Sequence, residues 1–198
     1  ELKSGRMDQV RTPYLVYAML AFAGVSPAYG AATVIGGGLG RECYLAAEFK
    51  RERNMSLDVC TRALEEEQLP RRDRAATLVN RGIVHMHAKD LVRALADYEA
   101  AIRLEPRLAE AHVNRGIALL YKGGEDQAAI DALTHGLSLN PVRPEVAYYT
   151  RAVAYEVVGN VRAAYDDYQA AAAARPGWEE PIEQLKRFQV ERRPVKNG

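Results

Sequence analysis

Only two cysteines, three phenylalanines and one tryptophan occur in the 198 residues. The cysteines, Cys43 and Cys60, are too far apart for a Cys-x-x-Cys redox pair, and the further ligands of a zinc site are missing around them. Neither sign of charge is in excess, since the net charge is +1 and the basic residues are spread along the chain. A phosphate-tracking surface needs a denser basic stripe, so a nucleic-acid partner is not expected. No run of alternating Val, Ile and Thr recurs between turn signals, which argues against a sheet protein. Nucleophile elbow, zinc-binding helix and phosphate loop are all lacking, so the sequence supports no enzyme class, metal or cofactor.

Alanine, by contrast, is abundant. It has the best helix propensity, and its small side chain lets two helix backbones approach. The chain is long enough for one small domain or a short repeat array with a real core.

The first segment reads as an address. No charged residue lies between Thr12 and Gly40, while Lys3, Arg6 and Arg11 precede this stretch. An apolar core from Tyr14 to Val25 is followed by Ser26-Pro27-Ala28-Tyr29-Gly30, with small residues two apart at Ala28 and Gly30. This pattern predicts a signal peptide over 1–30, cleaved after Gly30. Two rivals stay open: an uncleaved membrane anchor using the longer uncharged run, and a buried first helix. Residues 31–40, which include Gly36, Gly37, Gly38 and Gly40, read as a flexible linker, because the context of a phosphate-binding loop is absent.

An internal repeat decides the fold. Pro106, Pro141 and Pro176 are each 35 residues apart, and Gly82, Gly116 and Ala152 recur at 34 and 36. Leu78, His112 and Tyr148 open the pattern. Ala94, Ala129 and Ala164 stand four residues before Tyr98, Leu133 and Tyr168, and Ala101, Gly136 and Ala171 close it. These positions resemble the tetratricopeptide repeat (TPR), a helix–turn–helix unit that stacks because one unit cannot bury its apolar stripe alone. The resemblance implies an all-α, right-handed solenoid with units over 74–107, 108–142 and 144–177. A degenerate first unit precedes them at 41–70, with its turn at Asn54, and a cap helix follows at 178–192, with Ile182, Leu185 and Phe188 as its apolar stripe.

Within that arrangement Cys43 and Cys60 lie on opposite helices of the first unit, at similar height. A disulfide is therefore geometrically reasonable and would suit an oxidising compartment, with two buried reduced thiols as the alternative. Arg81 and Asp97, like Arg151 and Asp167, are 16 residues apart, which predicts an ion pair joining the two helices of a unit. Arg115 has Ala132 at the equivalent place and is expected to stay free. The histidines fit packing better than metal binding, and the acidic run Glu65-Glu66-Glu67 reads as a solvated face.

The first helices of TPR units line a concave groove. By resemblance, Asn80 and Asn114 there would bind a peptide main chain, with Thr150 at the matching place in the third unit. Ile83, Ile117, Val153 and Tyr149 would make the rest of the groove mainly apolar. No lysines accompany the asparagines, so a carboxylate clamp is not expected. The reading as a whole is an exported bacterial TPR protein. It would be a non-catalytic scaffold for a protein or peptide partner, periplasmic or, if the first segment is retained, anchored to the inner membrane.

Overall fold

In the last three units the turn between the two helices carries a residue with left-handed backbone. Lys89 (φ 60°) and Gly159 (φ 78°) adopt left-handed backbone. The next residues, Asp90 and Asn160, then cap the following helices by accepting the amides of Arg93 at 3.1 Å and Ala163 at 3.2 Å. In the middle unit Gly123 and Gly124 are both left-handed, at φ 74° and 77°, which accommodates the extra residue of that repeat.

The computed structural model describes residues 30–34, 37–50 and 53–188. Among these residues it has nine helices: α1 Leu39–Glu48, α2 Arg53–Glu66, α3 Arg71–His87, α4 Leu91–Leu104, α5 Ala109–Lys122, α6 Asp126–Ser138, α7 Pro144–Val157, α8 Val161–Ala174 and α9 Glu179–Leu185. Consecutive helices pack as pairs, and the first helices of neighbouring pairs (α1, α3, α5 and α7) also touch in sequence along one face. The fold is all-α. The signal-peptide and anchor readings of 1–30 fall almost wholly outside the described residues, and among the described helices none is long and apolar enough to cross a membrane.

The repeated small residues mark where helices nearly touch. A Cβ on Gly82 would stand 2.4 Å from Tyr98 Cε1, and one on Gly116 would stand 2.6 Å from Leu133 Cγ. One on Gly136 would meet Val113 Cγ2 at 2.7 Å. Glycine at these places leaves room for the side chains of the facing helix, within ordinary right-handed helix. Tyr98 and Leu133 are fully buried in the space so provided. Tyr168, buried in the last unit, extends the packing into the cap, with its ring 6.0 Å from that of Phe188.

Several expectations need correction. Asn54 lies inside α2, not at the turn before it. The cap helix ends at Leu185, and Ile182 faces solvent at 42% exposure, while Leu185 and Phe188 pack inward. The span 31–40 is not a free linker in its described parts. Ala32 and Val34 are buried, and α1 already begins at Leu39. Glu67, read as solvated, accepts the amides of Leu39 at 3.0 Å and Gly40 at 2.7 Å. Its carboxylate thereby satisfies two orphan donors at the start of α1, where the helix dipole also favours negative charge.

Candidate functional site: an extended segment on the asparagine face

Helices α3 and α5 present Asn80 and Asn114 at equivalent places, both completely buried. What buries them is this chain's own residues 30–34. Asn80 Oδ1 accepts the amide of Ala32 at 2.9 Å, and Asn80 Nδ2 donates to the carbonyl of the same residue at 2.9 Å. One side-chain amide thus satisfies both main-chain groups of one residue, and it does so without touching that residue's side chain. Asn114 Nδ2 donates to the carbonyl of Gly30 at 3.0 Å and to that of Glu110, one turn back on α5, at 2.9 Å. Asn114 Oδ1 is buried and has no hydrogen-bond partner among the described residues.

Burial along the segment alternates as extended chain requires. Ala32 and Val34 are each 2% exposed, while Thr33 between them is exposed and Ala31 is half-buried. The two inward side chains join one apolar cluster with Val79, Ile83, Val113 and Ile117. Glu67, by holding the start of α1, fixes the point where the chain has turned away from the groove; Gly38 there has φ 83°, and a Cβ on it would lie 1.8 Å from Glu67 Oε1.

Of the residues assigned to the groove, the structure therefore places Asn80 and Asn114 on the segment, and Ile83 and Ile117 in the buried cluster that Ala32 and Val34 join. The remaining three stand apart. Val153 is buried in a second cluster with Leu119 and Tyr168, and Tyr149 packs on Trp178 and Tyr168 at ring separations of 5.1 and 5.4 Å. Thr150 is half-buried on α7. The participation of residues 30–34 was not anticipated. Its sequence signal, two small apolar residues and a valine on an alternating pattern, is too short to distinguish from a linker.

Beneath the groove, two guanidinium groups tie helices together. Arg81 makes a two-pronged pair with Asp97 at 2.7 and 2.9 Å and reaches Thr61 Oγ1 on α2 at 3.5 Å. Arg151 does the same with Asp167 at 2.7 and 2.8 Å and with Thr134 Oγ1 on α6 at 2.9 Å. Rings of Tyr148 and Tyr155 flank Arg151 at 5.8 and 5.7 Å. Each arginine so joins both helices of its unit to the second helix of the unit before. The aspartate hydrogen bonds raise both arginine pKa values further, so these groups stay charged. Arg115, expected to be free, lies 4.0 Å from Glu99 on α4. At the first unit Cys43 and Cys60 are fully buried with their sulfurs bonded at 2.06 Å. Across the array, Arg143 before α7 hydrogen-bonds Glu48 at the end of α1.

His85 and His112 pack, while His87 and His135 are exposed. His85 is nearly buried, its Nε2 3.9 Å from Asp97, and burial lowers its pKa despite the carboxylate. His112 donates from Nε2 to the Pro106 carbonyl at 2.9 Å and stands edge-on to His135, with ring centroids 4.4 Å apart; burial lowers its pKa too. No cluster of three or more metal-binding side chains occurs among the described residues.

Comparison with known proteins agrees with this geometry. Residues 75–108, which span α3 and α4, match the family described as tetratricopeptide repeat. No curated protein sequence matches the chain. Among solved structures, a crystal structure of MamA aligns over 76% of this chain and 82% of its own, at 22% identity and a TM-score of 0.60. MamA from Desulfovibrio magneticus RS-1 aligns over 75% and 82%, at 19% identity and a TM-score of 0.60. The first TPR domain of Spaghetti (RPAP3), solved bound to the HSP90 peptide SRMEEVD, aligns over 57% of this chain and 90% of its own, at 19% identity and a TM-score of 0.53. The chain thus has an all-α fold similar to that of solved tetratricopeptide-repeat domains, and its residues 75–108 match the tetratricopeptide repeat itself.

Proposed function

We propose that this chain is a non-catalytic interaction scaffold of the cell envelope that binds an extended peptide segment in the groove of α3 and α5. The observation that carries the reading is the two-point hold of Asn80 on one main-chain residue. Such a hold is indifferent to side chain, and it is what a groove needs in order to take a strand of another protein. The solved complex of the RPAP3 domain with SRMEEVD is an instance of peptide capture on this fold. Acidic peptides are not the favoured class here, because the segment that lies in this groove is uncharged and is held by amides.

The envelope location rests on the uncharged run from Thr12 to Gly40 behind basic residues, and on the Cys43–Cys60 bond, which persists in an oxidising compartment. Cleavage after Gly30 would take the Gly30 carbonyl from Asn114 and leave Ala32 paired with Asn80. The alternative, a membrane-anchored structural subunit, keeps the first segment; N-terminal sequencing of the mature protein separates the two.

A crosslinking pull-down from native envelope, comparing wild type with Asn80→Ala/Asn114→Ala, tests the groove. A specific partner lost from the double variant supports the proposal. A partner retained by it moves the binding surface away from the asparagine face.

A further inference from the structure

Residues 30–34 show what the groove accepts, and the geometry points to a specificity that rests on the reading above. We infer that the groove selects an extended, uncharged peptide with a small side chain at the residue held by Asn80 and a branched aliphatic one two residues on. The chain's own segment that carries Ala32 and Val34, present with or without cleavage after Gly30, is a tethered competitor for the same place.

Three features carry the inference. The main chain of Ala32 is held at both its N–H and its C=O, so any residue could pair there as far as the backbone is concerned. Its side chain, however, is 2% exposed and belongs to the buried apolar cluster that also holds Val79, Ile83 and Ile117, so a longer or charged side chain there must displace packed neighbours or leave the groove. Protein interiors tolerate added methylenes poorly, and an unpaired charge far less. Val34, two residues along and on the same face, is equally enclosed, whereas Thr33 points to solvent and sets no requirement. The site thus reads main chain at one residue and size and polarity at two.

The hold on the segment is uneven: Asn80 pairs both main-chain groups of Ala32, whereas among the described residues Asn114 makes one bond to it, from Nδ2 to the Gly30 carbonyl. Attachment to the same chain gives the segment an effective concentration of order millimolar, so it holds the groove without optimal contacts. A separate peptide displaces the segment when its intrinsic affinity outweighs that tether.

The test uses the full chain and a fluorescein-labelled, end-capped pentapeptide Gly-Ala-Ala-Thr-Val, with binding read by fluorescence polarisation. Ala32→Arg removes the tethered competitor, because an arginine cannot occupy the enclosed position. Circular dichroism and thermal melting establish that the variant is folded, and Ala32→Pro, which deletes the amide donor, serves as the second competitor-free chain. The expected result is probe binding about tenfold or more tighter to either variant than to wild type. Binding to the variant should be lost on adding Asn80→Ala, and the probe Gly-Ala-Arg-Thr-Val should not bind. Equal binding of the arginine probe overturns the size rule. Absence of probe binding to folded variants overturns the inference while leaving the groove proposal to its own test, since an Asn80-dependent envelope partner would still be captured. Wild type that is dimeric by light scattering, and made monomeric by Ala32→Arg, would show the segment to be exchanged between copies and would overturn the tethered arrangement.

Discussion

Asn80→Ala isolates the hydrogen-bonding part of the groove from its apolar part. In the wild-type protein Ala32 exchanges both its backbone groups with one side-chain amide at 2.9 Å. Alanine at position 80 removes both bonds and leaves the apolar contacts of Ala32 and Val34 in place. A hydrogen bond between neutral groups contributes about 0.5–1.5 kcal/mol net, so the pair is worth about 1–3 kcal/mol. The penalty for leaving the Ala32 groups buried and unpaired is avoided, because the segment can detach and hydrate them. The loss therefore appears as local opening. With each 1.4 kcal/mol equal to a factor of ten, the open population of residues 30–34 rises about 5- to 150-fold. Amide hydrogen exchange at Ala32, followed by NMR, reads that population directly when closing outpaces exchange. Asn114→Ala removes only the bond to Gly30 from the segment and should accelerate the same amide less, by about 2- to 10-fold. An Ala32 amide that exchanges at the same rate in wild type and Asn80→Ala would refute the argument, because its protection would then not come from Asn80.

Other elements of the structure make their own predictions. Gly82→Ala gains up to about 1 kcal/mol of helix propensity. It also drives a methyl to 2.4 Å from the buried Tyr98 ring, so a net loss of about 1–3 kcal/mol is expected in urea unfolding; a more stable variant would show that the ring moves freely. Cys43→Ser opens a loop whose ends are 17 residues apart, which the chain-entropy relation values at about 3 kcal/mol, measurable as a lowered denaturation midpoint. Asp97→Ala and Asp167→Ala each strand an arginine that is mostly shielded, with side-chain exposures of 23% and 15%. Each should cost about 3 kcal/mol, and a loss below about 1 kcal/mol would class the pair with surface bridges. Burial lowers the pKa of His85 and His112 in the folded chain, so the unfolded chain binds protons first as pH falls. That stability is complete above the unfolded histidine value of about 6.5 and is lost as pH drops through it towards the lower folded values. Urea midpoints at pH 7.5 and 5.5 should differ in that direction, and less so in His85→Gln/His112→Gln.

The 35-residue spacing of the prolines and the recurrence of Gly82, Gly116 and Ala152 determined the all-α repeat fold, because helix ends and close helix contacts are local demands. Small residues must sit where backbones nearly meet, and a proline can follow a helix but not continue one. Sequence spacing also brought out Asn80 and Asn114 as an equivalent pair facing one way. What lies against them was decided only in the tertiary structure. Asn80 meets Ala32 across 48 residues and Asn114 meets Gly30 across 84, and no periodicity encodes a contact between a repeat and a short segment outside it. The same holds for Glu67, whose place in an acidic run says solvent until the start of α1 is brought to it. Tyr149 and Val153 share the repeat positions of groove residues, yet they pack in the second cluster near the cap, while the described part of the segment meets Asn80 on α3 and Asn114 on α5. Repeats specify equivalent positions through local sequence; which of those positions become a site depends on where the non-repeating chain runs.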